Sequence, residues 1–288
     1  MVKTYGELYL SARRALMPTE EDHAAQSARE LLAFVSGKTT AGVIVDRDLY
    51  ASEEIESRLD DCIARMIAGE PLAYILGQWS FYGLTLTVTP DVLIPRDDSM
   101  AVTDLAISAL REMAPPQRVL DLCSGSGCIG LAIAHQIPTA RVTLSDVSQE
   151  ALKVAKKNLT DLKLTGRVTT FEVDVRKAAP KFLGQFDLIV SNPPYVTRQE
   201  MLSLEPSVRY YEPHLALDGG EDGLDFYRDI LRNFTQALKP GGKLCLEFGL
   251  SQHMAVGTLL EQAGFTQIVF AKDYRGVIRA VMAEKESL

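Results

Sequence analysis

The sequence predicts an α/β protein with a mostly parallel sheet, an antiparallel hairpin at the C-terminal edge of that sheet, and a small N-terminal helical bundle joined by a β-hairpin. Apolar positions recur at helical spacing in the N-terminal region. From Asp97 onward, short apolar runs alternate with amphipathic stretches, as parallel strands connected by helices do. No helical stretch separates the last two apolar runs, which therefore pair antiparallel.

The N-terminal bundle is predicted to occupy residues 1–77. Its amphipathic helices are expected over residues 5–16, 20–35 and 52–68. In the third, Ile55, Leu59 and Ile63 lie at helical spacing, and Ser52 with Glu54 suits a helix N-terminus. Residues 1–80 contain eight Lys and Arg against thirteen Asp and Glu, so this region is acidic.

A β-hairpin linker is predicted over residues 78–96, where leucines and valines alternate with threonines. The third domain is predicted to span residues 97–288. Its expected helices cover residues 99–113, 128–136, 148–162, 224–238 and 251–263. Its expected strands cover residues 118–122, 141–145, 168–173, 186–190, 243–248, 267–270 and 277–282.

Composition narrows the class of protein. The chain has 288 residues, 47% of them hydrophobic, which allows more than one compact domain. A net charge of -8 argues against a protein that binds nucleic acid by neutralising many phosphates. We find no signal sequence and no apolar run of membrane-spanning length, and expect a cytoplasmic protein. The four cysteines form no CxxC pair, so no metal site is expected.

A glycine turn follows the first predicted strand of the third domain, in residues 121–130 (DLCSGSGCIG). Gly125, Gly127 and Gly130 satisfy the GxGxxG spacing, which allows a tight turn and close approach of a ligand to the backbone. That spacing also occurs in NAD-binding proteins. Asp121 would repel a pyrophosphate, however, and suits the cationic methionine part of S-adenosylmethionine, which is the cofactor we predict.

Two further aspartates end predicted strands. Asp146 lies 19 residues after Gly127 and can accept hydrogen bonds from two ribose hydroxyls. Asp174 is placed to receive an adenine amino group. Each aspartate could instead cap a helix. Three carboxylates at strand ends together favour a cofactor site, because open α/β sheets bind ligands there.

The tetrapeptide Asn192-Pro193-Pro194-Tyr195 directly follows an apolar strand. Its prolines fix φ and remove two backbone N–H donors, so the turn offers acceptors, namely the Asn192 side-chain oxygen and the Pro193 carbonyl. Such a turn can hold a planar NH2 group, with the Tyr195 ring as a wall. An ordinary Asn-Pro connector is the alternative interpretation.

Together these motifs resemble a class I, Rossmann-like S-adenosylmethionine-dependent methyltransferase of the amino-methylating type. Further segments resemble the HemK/PrmC family over essentially the whole chain. They are residues 71–77 (PLAYILG), 81–83 (FYG), 93–96 (LIPR), 211–213 (YEP), 216–220 (ALDGG) and 222–224 (DGL). The resemblance implies methylation of the side-chain amide nitrogen N5 of the glutamine in the Gly-Gly-Gln motif of peptide chain release factors.

The resemblance also implies roles for individual residues. Asn192, Pro193 and Tyr195 would be catalytic and, with Pro194, Phe81 and Arg96, would bind the substrate. The implied cofactor site, which leaves S-adenosylhomocysteine as product, comprises Asp121, Cys123, Ser124, Gly125, Gly127, Asp146, Val147, Asp174, Val175 and Asn192. The chain departs from the family pattern at Met100, where a glutamate is usual, and at Ile278, where an aspartate is usual.

The partner implied is a release factor, with the N-terminal bundle as docking domain and the chain as a monomer, without metal, membrane or direct nucleic-acid binding. A nucleic-acid amino methyltransferase acting on adenine N6 or guanine N2 is the nearest competing function, because such bases also present a planar NH2 group. The acidic N-terminal region and the absence of a Lys/Arg cluster count against it. The sequence is also compatible with a NAD-dependent oxidoreductase and with a non-catalytic binding module.

Overall fold

The computed structural model describes residues 2–287, which divide into two units. The first contains the residues up to Gly77 together with Pro206–Tyr211, and the second contains Gln78–Glu205 and the residues from Glu212 onward. The inclusion of residues 206–211 in the first unit has no signal in the sequence, because it depends on contacts between positions far apart in the chain.

Helices make up the first unit. They are α1 (Tyr5–Leu16), α2 (Ala24–Ser36), α3 (Thr40–Val45), α4 (Glu53–Ile67), α5 (Leu72–Leu76) and the short helix Pro206–Tyr211. Thr4 and Glu7 form a capping box at the start of α1. Leu8, Leu31 and Leu59 belong to the apolar core between the helices. The sequence places the start of α2 too early, at residue 20, because residues 20–23 form a turn.

The hairpin that follows is shorter than predicted. Strand β1 (Gln78–Phe81) pairs with β2 (Leu84–Thr87) across the turn Tyr82-Gly83. Both turn residues have positive φ, 51° and 77°, as the type I′ turn that matches strand twist requires. The hairpin linker is predicted to extend to residue 96, but no strand continues beyond Thr87 in that stretch, where Pro90 cannot donate to a ladder.

A seven-stranded sheet forms the centre of the second unit. Its strands are β3 (Arg118–Leu122), β4 (Arg141–Asp146), β5 (Val168–Glu172), β6 (Phe186–Ser191), β7 (Leu238–Glu247), β8 (Phe265–Lys272) and β9 (Ile278–Lys285). The spatial order is β5-β4-β3-β6-β7-β9-β8. All neighbours are parallel up to β7, and the β7–β9 and β9–β8 pairs are antiparallel. The predicted fold class is therefore confirmed.

The remaining helices are α6 (Met100–Glu112), α7 (Cys128–Gln136), α8 (Gln149–Asp161), α9 (Arg198–Met201), α10 (Pro206–Tyr211, in the first unit), α11 (Asp225–Phe234) and α12 (His253–Gln262). One apolar core joins α6, α7 and α8 to the sheet. A second joins α11 and α12 to it. Strand β7 begins five residues before its predicted start at residue 243, because α11 already ends at Phe234. Among the described helices, none has the length and apolarity to cross a membrane.

This topology positions the site. The chain reverses its direction of winding between β3 and β6, which are neighbours although β4 and β5 lie between them in sequence. Ligands bind open α/β sheets outside the carboxyl ends of the strands at such a point. Ser145 Oγ donates to the Asp121 carbonyl at 2.9 Å, and Ser191 Oγ donates to the Leu122 carbonyl at 2.7 Å. Side-chain hydrogen bonds from both neighbouring strands, β4 and β6, thus hold the end of β3.

Candidate active site

A cavity opens at the carboxyl ends of β3, β4, β5 and β6. The glycine turn, the ends of β4 and β5, the Asn192 turn and two covering segments form its wall. The predicted site residues among its lining are Arg96, Cys123, Ser124, Gly125, Asp146, Val147, Asp174, Val175, Asn192 and Pro194. Tertiary structure therefore gathers residues from seven separate stretches of the chain around one space.

Gly127 and Gly130 allow the turn to pack against the sheet. Gly127 has φ 82°, and a Cβ there would lie 2.9 Å from Leu144 Cδ1. A Cβ on Gly130 would collide with Leu144 and would lie 2.8 Å from Asp121 Oδ2. Both positions exclude a side chain, in agreement with the packing role of glycine in such turns. Gly127 does not itself line the cavity, whereas Gly125, which lines it, has open space where a Cβ would be.

Asp121 lies behind the turn and does not line the cavity. Its side chain is buried, and Oδ2 accepts a hydrogen bond from Gly130 N at 2.8 Å. Burial, with the charge of Asp146 adding to it, raises the pKa of Asp121 to about 8. Oδ1 has no hydrogen-bond partner among residues 2–287. Asp121 therefore anchors the start of α7 through Gly130 N, and its contact with a cofactor ammonium group stays a prediction.

Asp146 presents its carboxylate to the cavity. Oδ2 accepts from Gly125 N and Oδ1 accepts from Ser148 N, both at 2.9 Å. Burial raises its pKa, while these backbone hydrogen bonds act in the opposite direction. Each carboxylate oxygen can accept a second hydrogen bond. The side chain therefore both fixes the glycine turn and keeps acceptor capacity for hydroxyl groups of a ligand.

Asp174 lines the cavity beside Val175. Burial raises its pKa, but the backbone and guanidinium hydrogen bonds of Arg176, with the charges of Arg176 and Lys177, outweigh burial and lower it overall. Arg176 N and Nε donate to Asp174 Oδ1 at 3.0 and 3.2 Å. Asp174 is therefore an ionised acceptor, and its Oδ2 is the oxygen less engaged by Arg176.

Asn192 stands at the edge of the cavity with a defined side-chain orientation. Its Nδ2 donates to Ser99 Oγ at 3.3 Å, so Oδ1 is the acceptor that the side chain offers elsewhere. Pro194 lines the cavity as well, whereas Pro193 is buried and Tyr195 is half-buried outside the lining. Burial raises the pKa of the Tyr195 hydroxyl.

Residues distant in sequence hold the Asn192 turn. Val196 N donates to Leu217 O at 2.9 Å, and Gly219 N donates to Val196 O at 2.8 Å. A Cβ on Gly219 would lie 2.7 Å from Tyr195 Cα, so the 216–220 segment packs directly on the turn. On the other side, Gln252 Nε2 donates to Tyr195 O at 3.0 Å. The turn is thus clamped between two loops.

Glu212 links the two segments that cover the cavity, residues 91–96 and 213–216. Glu212 is buried, accepts from Ile94 N at 3.1 Å and forms an ion pair with Arg96. This joins residues 91–96 to residues 213–216, and both stretches contribute to the lining. Phe81 is a core residue, 1% exposed, and does not line the cavity. Its predicted contact with substrate is not supported by its position.

The two departures from the family pattern lie away from the cavity. Met100 packs against one apolar core and Ile278 against the other, and neither is among the lining residues. The predicted site residues do not include Ser99, Phe226, Glu247 or Gln252. Glu212 lies in the family-like segment 211–213, but the sequence predicts no individual role for it. Glu247 carries a signal, because a carboxyl at the end of an apolar strand is also the pattern of Asp146.

Comparison with known proteins gives the family. Residues 7–77 match the PrmC N-terminal domain, and residues 98–205 match the methyltransferase small domain. The release factor glutamine methyltransferase of Geobacter sulfurreducens is 40% identical over 251 residues, covering 87% of this chain and 86% of that protein. The release factor glutamine methyltransferase of Caulobacter vibrioides is 35% identical over 288 residues, covering 100% and 99%.

Solved structures agree on the fold. A methyltransferase from Pyrococcus furiosus matches with a TM-score of 0.51 at 20% identity, covering 79% of this chain and 99% of that one. The hMettl16 catalytic domain matches with a TM-score of 0.55 at 15% identity, covering 81% and 82%. Given the full-length relatives at 35 to 40% identity, the chain belongs to the release factor glutamine methyltransferase family.

Proposed function

We propose that this protein transfers a methyl group from S-adenosylmethionine to the side-chain amide nitrogen N5 of the glutamine in the Gly-Gly-Gln motif of peptide chain release factors. The observation that carries the proposal is the orientation of Asn192. Its amide nitrogen is engaged by Ser99, so its oxygen is available to accept from a substrate NH2 at the rim of the cavity. The names of the family's members supply the substrate class.

The residues of the cavity fit S-adenosylmethionine. Gly125 exposes backbone to the cavity without a side chain, which suits the methionine portion of the cofactor. Asp146 retains acceptor capacity for two ribose hydroxyls, and Asp174 offers an ionised oxygen to the adenine amino group. The apolar lining residues Val147, Val175 and Ile129 suit a flat aromatic base.

Bound S-adenosylmethionine supplies an electrophilic methyl group on a sulfonium. The protein has to orient an amide nitrogen, a poor nucleophile because its lone pair is delocalised into the carbonyl. Asn192 Oδ1 and the Pro193 carbonyl each accept one N–H, which directs the nitrogen lone pair and favours pyramidalisation. Catalysis then rests on proximity and on preorganised acceptors. The proton can leave after transfer, so no strong base is needed.

The N-terminal bundle serves in this proposal to dock the release factor, because a single glutamine in a loop offers little surface for specificity. Several of its apolar side chains are exposed, including Val45 at 80% and Tyr50 at 73%. The protein would act in the cytoplasm as a monomer, on protein and not on nucleic acid. Lysine substitution at Val45 and Tyr50 is expected to raise KM for the intact release factor but not for a short Gly-Gly-Gln peptide.

A direct test combines purified protein, isotope-labelled S-adenosylmethionine and a release factor, followed by mass spectrometry of the Gly-Gly-Gln peptide. We expect one methyl group on the glutamine and none on a release factor in which that glutamine is replaced by glutamate. Duplex DNA and ribosomal RNA serve as competing substrates. Transfer to nucleic acid alone would overturn the proposal in favour of a base amino methyltransferase.

A further inference from the structure

Glu247, the last residue of β7, has no assigned role although its carboxyl is 1% exposed. Neither Oε1 nor Oε2 makes a hydrogen bond of normal geometry with any described residue. A buried carboxyl without partners is costly, and such groups in native proteins call for an explanation. Because β7 is adjacent to β6, its end lies beside the strand that leads into the Asn192 turn.

Two hydroxyls interact with this carboxyl. They belong to Ser99 and Tyr195, and both lower the pKa of Glu247. Ser99 is itself buried and accepts from Asn192 Nδ2, while Tyr195 closes the acceptor turn. Tyr227 Oη donates to the Glu247 backbone carbonyl at 2.9 Å, which fixes the end of the strand. Glu247 therefore interacts with the hydroxyl that contacts Asn192 and with the hydroxyl of Tyr195, the first and last residues of the turn.

We propose that Glu247 is a positioning residue for Asn192: its carboxylate accepts a hydrogen bond from the Ser99 hydroxyl, so that Ser99 Oγ accepts from Asn192 Nδ2 and Asn192 Oδ1 is directed to the substrate. This inference rests on the proposed function, in which Asn192 holds the amide. It adds a chain of two hydrogen bonds, called the relay below, that links the Glu247 carboxylate through the Ser99 hydroxyl to the Asn192 side chain.

The direction of the relay matters because a serine hydroxyl has a single proton to donate. If the hydroxyl donates its hydrogen bond to Glu247, Ser99 can only accept from Asn192, and the Asn192 oxygen is presented to the substrate. If Ser99 donates to Asn192 Oδ1 instead, the amide turns over and presents its NH2 group. Two NH2 groups then face each other, and the glutamine amide loses an acceptor.

The relay in this direction requires ionised Glu247. Burial raises its pKa to about 7. The nearby Asp98 carboxylate also raises the pKa, while the Ser99 hydroxyl, the Arg279 guanidinium and the Tyr195 hydroxyl lower it. Tyr227 and Cys128 are the other titratable groups that interact with Glu247. We expect kcat to fall as the pH drops through about 7, because a protonated carboxyl can donate to Ser99 and reverse the relay.

The test measures kcat, the KM for release factor and the affinity for S-adenosylmethionine in Glu247→Gln and Ser99→Ala. Loss of a hydrogen bond to a charged group predicts that kcat falls about 10-fold or more in either variant. In Glu247→Gln the KM and the cofactor affinity should stay within about 2-fold, because Glu247 does not line the cavity. Ser99→Thr keeps the hydroxyl and should retain most of kcat.

The double variant and the pH profile separate positioning from mere structural support. Because both residues act in one relay, Glu247→Gln combined with Ser99→Ala should be no slower than the slower single variant. Glu247→Gln should also lose the decline of kcat at low pH. The control Asp187→Asn removes a carboxylate at the opposite end of the sheet, where it accepts from Arg118 N, and should leave kcat unchanged.

Unchanged kcat in Glu247→Gln, additive losses in the double variant, or a fall of kcat in Ser99→Thr as large as in Ser99→Ala would each overturn the inference. If thermal unfolding shows that Glu247→Gln does not fold, the comparison of kcat between Ser99→Ala and Ser99→Thr decides the test. Failure of the proposed function is distinguishable, because the unmodified protein would then transfer no methyl group to the glutamine.

Discussion

The glycine turn after β3 and the Asn192 turn after β6 lie at the same edge of the sheet but are held in place differently. The glycine turn is fixed by neighbours close in the chain, such as Asp121 on Gly130 N and Asp146 on Gly125 N, the latter 21 residues apart. The Asn192 turn depends on Ser99, 93 residues away, and on Gln252, 57 residues from Tyr195. The glycine turn is thus fixed mainly by contacts between residues near in sequence, whereas the Asn192 turn is held by long-range contacts.

The largest effect on kcat is expected from a substitution in the Asn192 turn alone. Asn192→Ala removes the proposed acceptor of the substrate amide, and loss of one preorganised hydrogen-bonding group lowers kcat about 100-fold or more. The affinity for S-adenosylmethionine, measured by calorimetry, should change far less, because the rest of the cavity wall is intact. Normal turnover in this variant would show that Asn192 does not hold the substrate.

The next largest effect, on stability and cofactor affinity, is expected from a substitution in the glycine turn. Gly127→Ala forces a side chain into the left-handed region, which costs about 1 to 2 kcal/mol, and brings it 2.9 Å from Leu144 Cδ1. We expect lower stability in urea and a cofactor affinity reduced about 10-fold. Gly264→Ala is the matched control, since its φ is 79° and nothing lies near the added Cβ. Equal cofactor affinities in the two variants would contradict a role for the contact with Leu144.

A third variant tests whether the glycine turn depends on hydrogen bonds from residues distant in the sequence. Asn158, buried on α8, donates to Ser126 O at 2.9 Å and exchanges hydrogen bonds with both backbone groups of Thr87. Asn158→Ala leaves these groups unpaired and should lower the free energy of unfolding by about 2 kcal/mol. Thr160→Ala, on an exposed position of the same helix, should change it little. A cofactor affinity unaffected by Asn158→Ala would mean that the turn needs no support from the hairpin.

The smallest effect concerns Asp121. Because burial raises its pKa to about 8, the folded protein keeps a proton there that the unfolded chain releases near its ordinary pKa of 3.8. Stability from this group is therefore lost as the pH rises through that interval. Asp121→Asn can still accept from Gly130 N but cannot ionise. Urea unfolding at about pH 6 and about pH 8 should show a smaller loss of stability in this variant than in the unmodified protein.

The difference between the two turns also explains what the sequence predicts well. The strand–glycine turn–helix pattern at residues 118–136 and the aspartate after β4 can be recognised because their partners lie in the same stretch. Ser99 and Gln252 gave no signal, because a single polar residue becomes part of a site only through contacts made in the folded protein. The sequence does not predict the shorter hairpin or the earlier start of β7. Alternation of apolar and polar residues does not show where a strand finds a hydrogen-bonding neighbour in the sheet.

By itself, the sequence determined the alternation of strands and helices, the antiparallel edge, the glycine turn and the presence of an acceptor-rich turn after β6. These follow from periodicity and from residues with restricted backbones, which act locally. Only the tertiary structure decided that Asp121 and Phe81 do not line the cavity, that Glu212 pairs with Arg96, and that Ser99 contacts Asn192. The hydrogen bond from Asn192 to Ser99 joins residues 93 positions apart, which only folding brings within reach.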